Sequence, residues 1–271
     1  MKNSKTTSYP AFTKSWILLL GIIITALTFS CSGSNFLSNK TPRPFKGLAE
    51  TGTFFSPVPQ NQGFTHDGEY WYISPDHSTI EKRRLDDFEL IESAAHPDKI
   101  GGLFYDSVRD EILTCSGEYK WGGKAFISRI NKDNLEEIEH IDISAHTKQG
   151  VNAIVRLGDR IYVGETAVGS SNKPKSWYEF DADFNFVDTV YTHITYKGEY
   201  DWQDATVIGE TIYATDHEGF VYAFDVGRDG KLVSSDRYDS SGGYMEGITQ
   251  KNNQFYIWKK GTGIVTAELK E

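Results

Sequence analysis

Residues 152–165, NAIVRLGDRIYVGE, read as two short strands folded about a polar turn. An apolar stretch leads into Gly158-Asp159, and the β-branched and aromatic run Ile161-Tyr162-Val163 leads out. The same plan recurs four times: QGFTHDGEYWYISP from Gln62, GGLFYDSVRDEILTCS from Gly101, DATVIGETIYATD from Asp204 and EGITQKNNQFYIWK from Glu246. Each copy opens on a polar residue or Gly and continues with a small one: Gly63, Gly102, Ala153, Ala205 or Gly247. The starts are 39, 51, 52 and 42 residues apart. The matched second-strand residue (Tyr72, Leu113, Tyr162, Tyr213, Tyr256) follows its start by 10, 12, 10, 9 and 10. Five unrelated loops have no reason to keep that interval, so the segments are repeats.

A third strand is predicted after each pair, at 80–85, 125–130, 177–181, 220–225 and 264–269. A fourth is predicted after the first four, at 88–93, 135–143, 184–191 and 232–238. Four strands at this period make the blade of a β-propeller. The fifth repeat has three strands, and residues 47–55, GLAETGTFF, are a spare strand that completes it and covers an exposed edge. No stretch after residue 31 keeps an apolar face at helical period over ten residues. The chain therefore reads as all-β, a five-bladed propeller of four-stranded blades closed by an N-terminal strand. Six blades and an open β-sandwich compete with it, but a sandwich explains neither the matched starts nor the short last unit.

Composition agrees. The 271 residues are 38% hydrophobic and 14% aromatic with 2 Met, which suits many short strands and one sizeable core. The formal charge of −10 argues against nucleic-acid partners and leaves room for a divalent cation or a neutral ligand. Residues 1–30 carry Lys2, Lys5, Lys14 and the apolar run WILLLGIIITALTF, the pattern of a signal peptide. Ser30-Cys31-Ser32-Gly33 follows at once and resembles a bacterial lipoprotein signal, in which Cys31 becomes the acylated first residue. That resemblance implies a cell-envelope protein held to a membrane by its lipid; ordinary cleavage nearby and a retained anchor are the other readings. Residues 31–46 read as a tether and 47–271 as the propeller. With Cys31 acylated, Cys115 is alone in a strand-like run and reads as a small core residue. Nothing signals oligomerisation, so a monomer is expected.

In a propeller the innermost strands line a central channel, so residues at matched positions converge. The matched set is Gln62, Gly101, Asn152, Asp204 and Glu246. Gln62, Asn152, Asp204 and Glu246 offer oxygen ligands suited to one divalent cation, Ca²⁺ first. Without a cation they read as a hydrogen-bonded, wet channel. Asp204 and Glu246, with His217 on the rim, are the candidate catalytic groups. Residues after the second strands and those entering each blade share that rim. They nominate His77, Trp121, Glu165, Trp202 and Asp216 for ligand binding, the Trp rings for stacking on sugars. The ligand class is a small molecule or glycan, with a protein partner at the rim loops as the alternative.

Three resemblances bear on chemistry. Glu246, Asn152 and Asp204 resemble the cation-binding set of gluconolactonase and regucalcin-like propellers, which implies a metal-dependent lactone or ester hydrolase. That family has six blades and an early Glu. Gln62-Gly63-Phe64-Thr65 is similar to the first-blade run of plant-type glutaminyl cyclases, secreted five-bladed propellers. Their second blade carries Glu-Gly where this chain has Gly101-Gly102. Asp204 and Glu246 also resemble the carboxylate pair of five-bladed glycosidases, whose separation sets the stereochemical outcome.

Overall fold

A computed structural model describes residues 46–55, 62–117, 124–147, 150–166, 174–195, 202–227, 232–239 and 243–270. The expected leader, Cys31 and nearly all of the tether lie outside these residues, as does Trp121. Blade 1 is β2 (Phe64–His66), β3 (Tyr70–Ile73), β4 (Thr79–Arg84) and β5 (Leu90–Ala95). Blade 2 is β6 (Leu103–Asp106), β7 (Glu111–Ser116), β8 (Phe126–Asn131) and β9 (Glu137–Asp142). Blade 3 is β10 (Gly150–Leu157), β11 (Arg160–Thr166), β12 (Pro174–Asp181) and β13 (Phe186–Thr195). Blade 4 is β14 (Trp202–Ile208), β15 (Thr211–Asp216), β16 (Phe220–Val226) and β17 (Leu232–Asp239). Blade 5 is β18 (Met245–Lys251), β19 (Gln254–Lys259) and β20 (Gly263–Leu269), completed by β1 (Lys46–Phe55).

The chain is thus a five-bladed all-β propeller, and its closure is the expected one. β1 lies antiparallel along β20, from Leu48 opposite Leu269 to Phe55 opposite Ile264. Its first two residues also pair in parallel with β17, Lys46 opposite Tyr238 and Gly47 opposite Asp239. One strand therefore satisfies the open edge of blade 5 and clasps it to blade 4.

The fourth strands of blades 1, 2 and 3 begin two residues later than predicted, at Leu90, Glu137 and Phe186. Phe88, Leu135 and Phe184 are instead the last turn residues, each left-handed at φ 63, 56 and 63°. Their N–H groups turn back to the carbonyls of Arg84, Asn131 and Asp181 at 3.1, 2.8 and 3.1 Å. A left-handed non-glycine residue costs on the order of 1 kcal/mol, and here burial of a large apolar side chain offsets it. Periodicity registers the apolar residue but not the sign of φ, which is why the strand bounds shifted.

Five apolar clusters fill the five gaps between neighbouring blades. Cys115 belongs to the cluster between blades 2 and 3, where burial holds its thiol far above the usual range. One buried ion pair crosses the same gap: Arg156 Nε donates to Asp106 Oδ2 at 2.7 Å, with both side chains almost fully enclosed. Removing one partner strands the other charge, so Asp106→Ala is expected to cost about 3–5 kcal/mol in urea unfolding. The double variant Asp106→Leu with Arg156→Met is expected to recover most of that loss.

Candidate functional site

The pairing registers of blades 3, 4 and 5 shift at one matched point, between Val151 and Ala153, Trp202 and Asp204, and Met245 and Gly247. The residues passed over are Asn152, Gln203 and Glu246. Gln203, not Asp204, is therefore the counterpart of Asn152 and Glu246, and Asp204 matches Gly63, Gly102, Ala153 and Gly247. The 9-residue interval of the fourth repeat is the trace of this in the sequence. Counted from Gln203, Tyr213 follows by 10, as in three of the other four copies.

The one-residue difference moves Asp204 from the mouth of the channel to the axis. Its side chain is wholly buried. Oδ2 accepts the backbone N–H of Phe64, in blade 1, at 3.2 Å and of Ile248, in blade 5, at 3.1 Å. Oδ1 faces Gly102, and a Cβ on Gly102 would stand 2.4 Å from it. A Cβ on Gly63 would stand 2.6 Å from the Gly101 carbonyl and the Leu103 nitrogen. The small residues leave the axis to one carboxyl group. Burial pushes that carboxyl well above the ordinary Asp range, against the N–H dipoles of Ile248, Ala205, Phe64 and Leu103, which favour its charged form.

Of the residues expected to form a cation ring, Gln62, Asn152, Asp204 and Glu246, the structure places Asp204 apart from the other three. Asp204 Oδ2 is taken by N–H donors whose positive ends would oppose a cation, and the carboxyl lies below the mouth. Gln62 Nε2 donates to Glu246 Oε2 at 2.7 Å. Among the described residues, no three His, Cys, Asp or Glu side chains are placed to share an ion.

The mouth is ringed by Gln62, Asn152, Gln203 and Glu246, all at most 7% exposed, with Gly101 in the fifth place. Gly101 leaves room for Asn152, since a Cβ there would stand 2.7 Å from Asn152 Oδ1. The Asn152 carbonyl accepts the Gly102 N–H at 2.5 Å, which joins blades 2 and 3. Gln203 is wholly buried, yet neither its Oε1 nor its Nε2 has a hydrogen-bond partner among the described residues. Ser116 Oγ and Thr166 Oγ1, at the mouth ends of β7 and β11, are buried and likewise have no partner among the described residues. Buried polar atoms are normally paired, so three such side chains at one end of the channel mark a place for a polar ligand or ordered water.

The remaining predicted residues divide. His217 and His77 lie on the rim, in the turns after β15 and β3. The His217 ring meets the half-exposed Tyr244 edge-on at 4.9 Å, and Lys260 Nζ lies 5.3 Å from the same Tyr244 ring. Glu165 is held within its own blade, by the Ser176 hydroxyl on one oxygen and by the Tyr178 hydroxyl at 3.0 Å on the other. Asp216 organises a turn: its Oδ1 accepts the N–H of Glu218 and of Phe220, both at 3.0 Å. Trp202 is not a rim platform. It is wholly buried between blades 3 and 4, stacked on Trp177 at 5.5 Å and edge-on to Phe224 at 5.3 Å. An indole with both faces packed offers none to a sugar.

No protein-family model matches the chain, and no curated protein matches it in sequence. Among solved structures it is similar to the glutaminyl cyclase of Myxococcus xanthus, at 11% identity and TM-score 0.62, over 83% of this chain and 97% of that one. U3-55K matches at 10% identity and TM-score 0.48, over 78% and 68%. The RRP9 WD40 repeats match at 10% identity and TM-score 0.48, over 78% and 67%. At 11% identity, what the chain shares with the cyclase structure is the fold.

Asp204→Ala leaves the N–H groups of Phe64 and Ile248 unpaired around a void, and is expected to cost about 3 kcal/mol or more; Asp204→Asn keeps the shape and one acceptor and costs distinctly less. The sign of the pH effect follows from the raised value. The contribution of Asp204 to stability is complete below the ordinary Asp value of about 4 and is lost as pH rises through the raised one. Urea unfolding across pH is expected to show the advantage of wild type over Asp204→Asn shrinking as pH rises.

Proposed function

We propose that the mouth is a ligand-binding and catalytic site acting at a carbonyl carbon, with Glu246 moving the proton and Gln203 donating to the carbonyl oxygen. The carrying observation is the Gln62–Glu246 hydrogen bond beside a wholly buried Gln203 carboxamide whose polar atoms are unengaged. Groups held in place before substrate arrives stabilise developing charge without reorganising. The nucleophile is water on a lactone or ester, or the substrate's own amine on a terminal amide. It loses its proton to Glu246 as it bonds to the carbonyl carbon. The Gln203 N–H groups meet the oxyanion, and Glu246 returns the proton to the departing alkoxide or ammonia. His217, on the rim, exchanges protons between the site and water.

The likeness to a glutaminyl cyclase supports the amide branch. Gln62-Gly63 fits that family's first-blade pattern, and Gly101 in place of its Glu leaves Glu246 as the carboxylate of the described ring. The same Gly101 favours a second reading, a non-enzymatic propeller that holds a glycan or protein partner with its rim, including His77 and Trp121. A divalent cation held by Gln62, Asn152 and Glu246 is the metal-dependent form of the first reading.

The test is turnover of a lactone, an ester and a peptide with N-terminal glutamine, with and without chelator. Turnover insensitive to chelator is expected. Glu246→Gln and Gln203→Ala should each lower kcat by about 10²–10³ with an unchanged melting temperature. Loss of turnover on chelation, with a stoichiometric metal in the untreated protein, would replace this reading with the cation-dependent one. No turnover on any substrate, with a partner captured through the rim, would replace it with the binding reading. We also propose export and acylation at Cys31. Intact mass and fatty-acid labelling of the membrane fraction are expected to show a lipidated chain beginning at that residue, and Cys31→Ala to abolish the label.

A further inference from the structure

The end of the propeller opposite the mouth carries a cavity of about 520 Å³ between blades 3 and 4. It opens where the β10–β11 and β14–β15 turns leave the sheets, and its lining includes Leu157, Arg160, Tyr162, Glu179, Asp188 and Glu210. Propeller blades meet through apolar faces, as the clusters in the other gaps do here. This gap becomes polar at its outer end, and the polarity comes from one row across the face of blade 3. Register places Tyr162 opposite Glu179, and Glu179 opposite Asp188.

Tyr162 is 1% exposed, yet its hydroxyl makes no hydrogen bond to any described residue. The matched tyrosine of blade 1 behaves differently: the Tyr72 hydroxyl donates to Asp67 Oδ2 at 2.8 Å. A hydroxyl that is not tied to a neighbouring side chain is open to a ligand or water. Here it lies on the cavity wall. Burial and the neighbouring Glu179 charge push its pKa up to about 12, so it stays a donor. Glu179 is 7% exposed and pairs with Arg160 Nε at 3.0 Å, which uses the cavity's described cation. Asp188 and Glu210 stay exposed at the opening. The cavity therefore has apolar side chains on its walls with the Tyr162 hydroxyl among them, and carries excess negative charge at its entrance. Its volume falls within the range of small-molecule sites.

We infer that this cavity is a second binding site, independent of the mouth, for a small amphipathic organic cation whose apolar body packs inside and whose ammonium group sits between Asp188 and Glu210. The probes are phenethylamine and phenylacetate, which share a body and differ in the sign of their charge, titrated by isothermal calorimetry into the purified full-length protein. Phenethylamine is expected to bind saturably and phenylacetate at least tenfold more weakly. Glu210→Lys changes an exposed turn residue and should weaken phenethylamine tenfold or more. Val187→Trp fills the entrance from a side chain already 43% exposed and should abolish binding. Glu246→Gln at the mouth should leave binding unchanged. Thermal melts confirm that each variant is folded. The inference is overturned if phenethylamine does not bind, if the two probes bind alike, or if binding survives Val187→Trp or follows Glu246→Gln.

Discussion

The structure depends on one carboxyl group. Asp204 stands on the axis, and its Oδ2 accepts backbone N–H groups from blades 1 and 5 while its chain belongs to blade 4. A ring of blades has no central hydrogen-bond ladder, because each inner strand pairs only outward. The N–H groups nearest the axis need an acceptor, and water is excluded where the strands crowd together. A single short acid answers that need for blades that are neighbours only through the ring. The arrangement requires glycine at position 102, where a Cβ would occupy the space of the carboxyl, and at position 63, where a Cβ would strike the backbone of Gly101 and Leu103.

With Asp204 occupying the axis at that level, the mouth above it is lined by polar side chains. Its floor is the Asp204 layer, and its wall is the ring one residue earlier in each inner strand. The bulges of blades 3, 4 and 5 turn Asn152, Gln203 and Glu246 out of the regular ladder. Bulges commonly re-aim a side chain beside a functional site. The scaffold holds these groups from rigid strands, which suits a site that must keep its geometry. The price of that rigidity is that three buried side chains at this end, Gln203, Ser116 and Thr166, have polar atoms without a partner among the described residues.

The gaps between blades are a second place where the ring closure has consequences. Each gap is a miniature core, and most carry aromatic pairs such as Trp177 on Trp202. Polar groups enter the gaps as well, and two of them show the contrast. Between blades 2 and 3 the Arg156–Asp106 pair is fully enclosed and acts as a tie. Between blades 3 and 4 the Tyr162, Glu179 and Asp188 row opens on a cavity instead. The difference lies in whether the neighbouring blade supplies a partner.

The sequence by itself determined the five repeats, the four-strand plan of each and the use of residues 47–55 to complete the last blade. These follow from local periodicity and turn residues, which a linear reading detects. It also brought Gln62, Asn152 and Glu246 to one ring, because matched positions in a closed ring must converge. Only the tertiary structure decided that Gln203 completes that ring and Asp204 fills the axis. A bulge shifts register by one residue, and one residue separates the mouth from its floor; the interval of 9 carried the signal, but an interval alone cannot say which strand slipped. Tertiary packing likewise put Trp202 inside, since exposure depends on the neighbouring blade's Trp177 and Phe224 rather than on Trp202's place in the chain. The left-handed Phe88, Leu135 and Phe184 belong with these: an apolar side chain reads the same in a strand or a turn until the core it enters is known.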